Sequence, residues 1–372
     1  MKKALAAAVA VGSLALLGAP GAFASTVTVS GGNTVRVAES GNEANALTVA
    51  YDAGPDVYDV ADTAATLTAN GTCTTVDAHH ATCPGAGIKT ISVDAGDRDD
   101  SIALDAGSIP STDTENLDGG AANDTVTGAG TAGTVRGGSG NDTVTGRGTV
   151  DGGTGNDVVT GSPAADTLRG SSGRDTLDGG PGPDDIAGGS GTDTLFYPAT
   201  RANGVSVTIG SGSDNDGGPE DQMGTRRDNV HGDIEVLVGT DRNDVLVGDR
   251  TSETLIGIGG DDFMVGNSGS DTVLGFDGND LLIGESGNDL LRGGPGADRE
   301  FGKTGSDRLA GGPDDDFLRG GPGHDVMKGK NGIDRINARD GERDVKIKCG
   351  PGQNRLEGAK WDKRLDPRPR SC

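Results

Sequence analysis

The stretch GFDGNDLLIGESGNDLLR, residues 275–292, contains two successive copies of a nine-residue pattern, Gly-x-x-Gly-x-Asp-x-(apolar)-x. The pattern runs through eleven copies without a change of phase from Gly239 to Asn337, and glycine opens every copy. The eighth position is apolar in ten copies and is Glu300 in the remaining one. A short, fixed period of this kind predicts a solenoid, in which each repeat buries its apolar side chain by stacking on its neighbours.

Each nonapeptide divides into a turn and a strand. Positions seven to nine suit a short β-strand whose central side chain points inward, while its two neighbours point outward. Positions one to six suit a tight turn, in which glycine supplies backbone conformations with positive φ. Two nonapeptides then form one coil, and coils stack at the strand spacing of ~4.8 Å. The sequence therefore predicts an all-β fold, a parallel β-roll or β-helix solenoid.

The sixth position is acidic in all eleven copies and in most copies of an earlier block. In a stack of two-repeat coils, these side chains form two files, one along each edge of the roll. The candidate metal ligands are the aspartates at this position: Asp124, Asp142, Asp157, Asp166, Asp175, Asp184, Asp193, Asp244, Asp262, Asp271, Asp280, Asp289, Asp298, Asp307, Asp316, Asp325 and Asp334.

A file of carboxylates needs counter-charge. Two ionised carboxylates ~4.8 Å apart repel each other by about 3.5 kcal/mol at an effective dielectric constant of 20. Lysine and arginine are scarce inside the turns, so the pattern indicates divalent cations between coils. Carboxylate and carbonyl oxygens with almost no histidine or cysteine favour several Ca²⁺ ions over Mg²⁺. One buried apolar side chain per repeat offsets little of the ordering entropy, which predicts that folding is coupled to metal binding.

The repeats divide the chain into blocks. Residues 25–118 form a β-rich leader that is expected to cap the first coil. Residues 119–196 carry a first repeat block, which contains a shortened copy at Gly146 and a copy with Gly133 in the acidic position. Residues 197–238 interrupt the pattern, and residues 239–337 form the eleven-copy block.

Two segments outside the repeats have distinct charges. In the interruption, the acidic loop Asp214–Gly217 suits a solvated loop better than an irregular ion site, because it lacks the spacing of an EF-hand. Residues 338–372 turn basic, and we expect them to cap the last coil with Leu356, Trp361 and a disulfide staple.

The N-terminus predicts export. Residues 1–24 combine two lysines, an apolar run and an Ala-x-Ala site, which is typical of a cleaved signal peptide. A transmembrane anchor is disfavoured because the apolar run is too short to span a bilayer. We therefore expect a secreted, extracellular protein with no membrane span. The formal charge of −25 makes nucleic acid an improbable partner, and a cell-surface or matrix polymer is the candidate partner besides calcium.

Four cysteines in an exported chain indicate two disulfides. Proximity suggests Cys73–Cys83 and Cys349–Cys372, although the sequence allows three connectivities. His79 and His80 lie between the first pair, so a Cys₂His₂ zinc site is the disfavoured alternative.

The pattern resembles the RTX, or haemolysin-type, calcium-binding repeat, Gly-Gly-x-Gly-x-Asp-x-(apolar)-x. The copies nearest to that consensus begin GGSGND at Gly137, GGTGND at Gly152 and GGPGHD at Gly320. The resemblance covers about half of the chain. It implies a right-handed parallel β-roll in which the sixth-position aspartates and the backbone carbonyls of the glycine-rich positions hold Ca²⁺ between turns of adjacent coils.

Several positions depart from the family pattern. Arg242 and Thr251 replace the fourth glycine, and Glu253 replaces the aspartate. We expect calcium or packing to be missing around Glu253 and Glu300 and in the copy at Gly128. Glu300 in a core position predicts a local distortion with Phe301 turned inward.

The predicted function is non-catalytic. The sequence has no HExxH motif and no Gly-x-Ser-x-Gly elbow, and residues 25–118 are short and β-like for a hydrolase. We expect a secreted calcium-binding repeat protein with a structural, surface or adhesion role. The alternative is an extracellular polysaccharide-acting hydrolase or lyase on a β-solenoid. The sequence indicates no oligomeric state.

Overall fold

The computed structural model describes residues 24–38, 44–130, 132–198, 201–212, 216–219, 227–339 and 346–357. In this part of the chain the structure is all-β without an α-helix. It forms a parallel β-solenoid of about twelve coils, which confirms the predicted fold class. No helix of the described residues is long and apolar enough to cross a membrane. The predicted signal segment lies outside the described residues, apart from its last residue, Ala24.

Most of the N-terminal strands alternate buried and more exposed residues. Their bounds are β1 (Ala24–Ser30), β2 (Thr34–Ala38), β3 (Ala46–Asp52), β4 (Val57–Asp62), β5 (Thr66–Asn70), β6 (Thr74–Asp77), β7 (His80–Pro84), β8 (Thr90–Asp94) and β9 (Ser101–Leu104). Antiparallel pairs β1–β2, β3–β4, β4–β7 and β6–β7 sit at the start of the solenoid. Strands β2 and β3 pair in parallel with β8 and β9, which begin the coils.

The first repeat block contributes ten strands, alternately longer and three residues long. They are β10 (Thr114–Ala121), β11 (Thr125–Thr127), β12 (Gly133–Ser139), β13 (Thr143–Thr145), β14 (Gly148–Thr154), β15 (Val158–Thr160), β16 (Thr167–Gly173), β17 (Thr176–Asp178), β18 (Asp185–Gly191) and β19 (Thr194–Phe196).

The interruption and the second block supply the remaining strands. Those of the interruption are β20 (Ser206–Thr208), β21 (Asn229–Val230) and β22 (Val236–Val238). Those that follow are β23 (Val245–Val247), β24 (Thr254–Gly259), β25 (Phe263–Ser268), β26 (Thr272–Asp277), β27 (Leu281–Ser286), β28 (Leu290–Arg292), β29 (Arg299–Thr304), β30 (Arg308–Gly312), β31 (Phe317–Arg319), β32 (Val326–Lys330), β33 (Arg335–Asn337), β34 (Lys346–Lys348) and β35 (Arg355–Glu357).

The strands form two faces. A continuous face runs without a break from β9 through β11, β19, β22 and β24 to β34. An interrupted face runs from β8 through β10 to β21, and resumes with β20, β23 and the odd-numbered strands to β35. Within regular coils, paired residues are eighteen positions apart, as in Leu255↔Val273, because two nonapeptides make one coil. The shortened copy at Gly146 reduces this to fifteen, and Val135 still pairs with Val150.

Inward-facing side chains from both faces make one continuous core. Those of the repeats occupy the eighth position of a copy, as predicted from the pattern, and Leu237 of the interruption is in register with them; each is at most 2% exposed. On the continuous face they are Val126, Val144, Val159, Leu177, Leu195, Leu237, Leu255, Val273, Leu291, Leu309 and Met327.

Glu300 keeps the register of its strand, so the predicted distortion is wrong. Leu282 pairs with Glu300, which pairs with Leu318, and Phe301 stays on the outer side, where its ring lies 5.6 Å from that of Phe317. The Glu300 side chain is fully buried in the core position. Its Oε1 accepts the Gly293 N–H at 2.8 Å, while its Oε2 has no hydrogen-bond partner among the described residues.

At Gly287, the fourth position of its repeat, the coils touch too closely for a side chain. Gly287 has φ of 141°, and a Cβ on it would lie 1.3 Å from the backbone oxygen of Gly269 in the previous coil. An L-residue at this position would therefore both strain the backbone and clash with it.

The interruption lies where the interrupted face passes from β21 to β20. Its acidic loop was predicted to be solvated, but one of its residues is buried. Asp216 is buried, with Oδ1 accepting the Thr208 N–H at 2.7 Å and Oδ2 accepting the Val230 N–H at 3.2 Å. The carboxylate thus joins β20 to β21. Asp214 and Asn215 lie outside the described residues.

The ends of the described chain bear on the cysteine predictions. Cys73 and Cys83 form a disulfide, so the zinc alternative at this pair is wrong. Strands β34 and β35 add one more coil beyond Asn337. Cys349 is buried there, while Cys372 and Trp361 lie outside the described residues.

Candidate metal centre

The sixth-position acids form two files, one along each edge of the roll. In each file, one carboxylate oxygen, Oδ1, accepts the backbone N–H of the acid one coil earlier, at 2.7–3.2 Å. Asp262 Oδ1, for example, accepts the N–H of Asp244 at 2.8 Å, and Asp280 Oδ1 accepts that of Asp262 at 2.9 Å. The structure therefore brings the predicted residues together coil by coil, with every side chain aimed into the roll.

The second carboxylate oxygen, Oδ2, has a different environment from Oδ1. In thirteen of the seventeen predicted aspartates it is buried and has no hydrogen-bond partner among the described residues: Asp124, Asp142, Asp157, Asp175, Asp193, Asp262, Asp271, Asp280, Asp289, Asp298, Asp307, Asp316 and Asp334. A buried, unpartnered carboxylate oxygen is costly because nothing replaces its lost hydration. A repeated cost of this kind indicates a missing partner that carries positive charge.

The opening glycine of each repeat keeps space beside this oxygen. A Cβ on Gly275 would lie 2.1 Å from Asp280 Oδ2 and 2.8 Å from the backbone oxygen of Gly293, which opens the repeat in the next coil. A Cβ on Gly302 would lie 2.3 Å from Asp307 Oδ2 and 2.7 Å from the oxygen of Gly320. Carboxylate and carbonyl oxygens from two successive coils thus converge on a place that a side chain would fill.

A second ladder shows that the turns are held together without help from Oδ2. Fifth-position side chains accept the N–H of the fifth residue one coil later, as in Asn141 to Asn123 Oδ1 and Asn156 to Asn141 Oδ1, both at 2.7 Å. Asn279 donates in the same way to Asp261 at 2.8 Å. The fifth and sixth positions therefore cap the turn N–H groups in opposite directions along the roll.

Burial raises the pKa of the sixth-position carboxyls, and neighbouring carboxylates add to the shift. The pKa of Asp262 and of Asp298 rises to about 8, with the next acids of the file contributing after burial. The pKa of Asp124 and of Asp316 rises to about 7. The pKa rises to about 6 in Asp157, Asp193, Asp271, Asp280 and Asp307. Without a cation, the files resist ionisation.

Comparison of the chain with known protein families identifies the same nine-residue repeat. The chain matches the RTX calcium-binding nonapeptide repeat over residues 111–144, 145–177, 160–195, 231–264, 238–273, 274–299 and 301–338, together just over half of its length. The chain belongs to the RTX calcium-binding repeat family. No protein of curated function matched it.

The donor set of the RTX repeats in this chain fits Ca²⁺. Among the described residues, no three His, Cys, Asp or Glu side chains converge on one point. A cation between coils would therefore take at most two carboxylates and its remaining ligands from backbone carbonyls or water. Oxygen-only coordination with flexible geometry suits Ca²⁺, which accepts six to eight such ligands. The thirteen Oδ2 atoms are the side-chain oxygens that would hold it.

Two RTX repeats with a predicted ligand differ from the rest. Asp166 Oδ2 accepts the Ser162 N–H at 2.6 Å and its hydroxyl at 2.9 Å, and Asp244 Oδ2 accepts the Thr240 N–H at 2.6 Å. Serine or threonine in the second position thus satisfies these two carboxylates within their own turns. The residue type alone does not distinguish these turns, because Ser171 also holds the second position, yet its hydroxyl donates to Asp151 and Asp175 Oδ2 has no hydrogen-bond partner among the described residues.

Glu253 occupies the same place as the aspartates, although its length made it doubtful from the sequence. Its Oε2 is buried without a hydrogen-bond partner among the described residues. A Cβ on Gly248 would lie 2.6 Å from this oxygen and 2.7 Å from that of Gly266. The pKa of Glu253 rises to about 8, chiefly through burial.

Sequence reasoning missed acids that extend the RTX files beyond the regular copies. Asp100 and Glu235 accept the N–H groups of Asn45 and Asp193, at 2.5 and 2.8 Å. Asp228 accepts the N–H of Asp184 at 3.0 Å. Each lies two residues before an inward-facing apolar side chain. An acid followed two residues later by an apolar residue is therefore a sequence signal that identifies them even where the opening glycine is absent.

Glu115 compensates for the acid that the RTX copy at Gly128 lacks. It lies in the sixth position one coil before Gly133. Its Oε2 accepts the Ala129 N–H at 2.8 Å, and a Cβ on Gly128 would lie 2.4 Å from its Oε1. The longer side chain therefore carries its carboxylate forward into the turn of the next coil.

Proposed function

We propose that this chain is a secreted, non-catalytic calcium-binding protein whose roll forms in response to Ca²⁺. The observation that carries the proposal is the file of buried Oδ2 atoms without hydrogen-bond partners, repeated coil after coil beside backbone carbonyls. The carboxylates stabilise the roll only if a cation offsets their burial and mutual repulsion, so binding free energy becomes folding free energy.

The test is the calcium dependence of folding. Far-UV circular dichroism of residues 25–372 should show little β-structure in EDTA at pH 8 and a cooperative gain as Ca²⁺ is titrated into the millimolar range. Mg²⁺ at the same concentration should be much less effective, because it demands smaller, near-octahedral sites and retains its water. An unchanged β-signal in Ca²⁺, together with no binding heat in calorimetry, would overturn the proposal.

The extracellular part of the proposal is supported by the sequence at residues 1–24 and by the Cys73–Cys83 disulfide, which suits an oxidising compartment. Export predicts that the protein recovered from the culture medium begins near Ser25. N-terminal sequencing of that material tests this, and an uncleaved N-terminus on protein retained in cells would contradict it. The proposed role is structural, at a surface or in a matrix.

One cluster favours the alternative of a polysaccharide-acting enzyme. On the outer side of the interrupted face, the Asp185 carboxylate accepts from Asn229 Nδ2 at 2.7 Å and contacts His231 Nε2 at 2.8 Å. An acid–base pair on the outer side of a strand face is what such an enzyme would need, although Asp185 directly follows Asp184 of the acidic file. Incubation with a panel of neutral and acidic polysaccharides separates the two functions. Cleavage by the wild-type chain that is lost in Asp185→Asn would establish the enzyme.

A further inference from the structure

The outer side of the continuous face becomes basic over its last four strands. Strands β28, β30, β32 and β34 present exposed cations outward, with Leu290, Ala310 and Val326 between them. We call these cations the basic strip: Arg292, Arg308, Lys328, Lys346 and Lys348. No carboxylate and no aromatic ring occupies an outward position of these four strands. The chain has a formal charge of −25, so a local positive surface indicates a specific role.

The cations of the basic strip are not engaged by the rest of the described structure. None of them forms an ion pair or a ring contact within the described residues. Three arginines of the interrupted face differ at the same level of the roll, while Arg319 is exposed in the same way as the strip. Arg299 lies over the Phe301 ring at 5.8 Å, and Arg335 and Arg355 each contact Glu357 at 3.1 Å. Within the described residues, the basic strip therefore keeps its charge available for a partner.

The shape of the basic strip restricts that partner. Arg308 is in register with Lys346 two coils later, and Arg292 with Lys328, so the cations form two columns along the roll axis. The columns are about 7 Å apart, and the four coils span about 14 Å, by strand rise and spacing. This area is far below the ~800 Å² that each partner contributes to a standard protein interface. A linear polyanion lying along the axis fits, whereas a duplex would bring its phosphates against the acidic turns.

We propose that the basic strip binds a linear acidic polysaccharide, whose carboxylate or sulfate groups pair with one cation per coil. A single-stranded nucleic acid is disfavoured because such strands are held by stacking on aromatic rings, and these strands present none outward. The inference rests on the proposed function, since it requires a folded roll, and it adds the chemical class of the extracellular partner. Lysine and arginine recognise carboxylate and sulfate oxygens through charge-assisted hydrogen bonds.

The test uses residues 25–372 in excess Ca²⁺ and a fluorescent heparin-derived oligosaccharide as the probe, with dextran as the neutral polymer. The strip variant is Arg292→Ser, Arg308→Ser and Lys328→Ser. The matched variant is the opposite-face triple Arg299→Ser, Arg319→Ser and Arg335→Ser, which changes net charge by the same amount. We expect the strip variant to bind the probe at least ~10-fold more weakly and with a shallower salt dependence, because counterion release falls with each lost cation. The matched variant should bind within about twofold of wild type.

Several results would overturn the inference. They are failure of the wild-type chain to bind the probe above dextran, equal weakening in both variants, or equal or tighter binding of an oligo-dT strand or of vesicles with anionic lipid. Circular dichroism of all three proteins in Ca²⁺ and in EDTA is recorded alongside. A roll that folds with Ca²⁺ but does not bind the probe refutes the polysaccharide alone, whereas a chain that ignores Ca²⁺ refutes the proposed function itself.

Discussion

Asp262 and Asp244 are adjacent in one file, and they should respond in opposite ways to the same substitution. Asp262 Oδ1 accepts the Asp244 N–H at 2.8 Å, and its Oδ2 is buried without a hydrogen-bond partner in the described structure. Asp244, by contrast, accepts the Val205 N–H at 2.7 Å and the Thr240 N–H at 2.6 Å on its two oxygens. Asparagine keeps the shape of each side chain, removes its charge and leaves one acceptor oxygen.

In EDTA, Asp262→Asn should stabilise the roll. The side chain loses its repulsion from two file neighbours, an upper limit of about 7 kcal/mol at an effective dielectric constant of 20. Solvent screening and proton uptake reduce the expected gain to about 1–3 kcal/mol. In Ca²⁺ the same variant should lose at least ~10-fold in affinity for one ion, about 1.4 kcal/mol, because a charged ligand has become neutral.

Asp244→Asn is the matched control. One of its two N–H donors loses its acceptor, which should cost about 1–3 kcal/mol of unfolding free energy both in EDTA and in Ca²⁺. In Ca²⁺, urea titration followed by circular dichroism measures the stabilities, and calorimetry measures calcium affinity. In EDTA, where the wild-type chain has little β-structure, titration with the stabilising osmolyte trimethylamine N-oxide measures the shift in the folding midpoint. The reasoning is refuted if Asp262→Asn destabilises the metal-free chain as Asp244→Asn does, or if both variants bind Ca²⁺ like the wild type.

Other predictions follow from single features of the roll. Glu300→Leu should raise the free energy of unfolding by about 1–3 kcal/mol in urea titration, because a buried carboxylate with an unpartnered oxygen is replaced by the core residue of neighbouring coils; a less stable variant would contradict this. In EDTA the roll should gain stability as pH falls from 9 to 5, since carboxyls such as Asp262 and Asp298 have folded pKa values raised to about 8 from an unfolded value of ~3.9. That stability is complete below the unfolded pKa and is lost as pH rises through the folded one, so a β-signal in EDTA that grows as pH rises from 5 to 9 would count against it. Gly287→Ala should abolish the calcium-induced circular dichroism signal, whereas Gly130→Ala, which also has a positive φ but no atom within 4 Å of an added Cβ, should leave most of it; equal effects would refute the role given to the backbone clash.

The repeat predicted the coil well because its constraints are local and repeat in every copy. An inward apolar residue every nine positions, such as Leu255 and Met264, requires strands of period two joined by turns of fixed length, and the pairing at eighteen residues follows. The same regularity predicted the buried files of acids.

The departures depended on contacts between coils, which a sequence pattern does not contain. Glu115 serves a turn one coil away, and Asp216 joins two strands across the interruption. The status of Asp166 depends on a serine hydroxyl and N–H four residues earlier, which compete for the same oxygen that a cation would take. Glu300 was expected to turn outward on hydrophobicity alone, but the backbone pairing of its strand with both neighbours holds it inward.

The most direct measurement of the central claim is the position of calcium in crystals grown with the ion, located by its anomalous scattering. The account predicts peaks in the turns along both edges, next to the Oδ2 atoms of residues such as Asp262, Asp280 and Asp289, and no peak against the Oδ2 atoms of Asp166 and Asp244. Turns without calcium along the files, or peaks against Asp166 and Asp244 as strong as the rest, would contradict it.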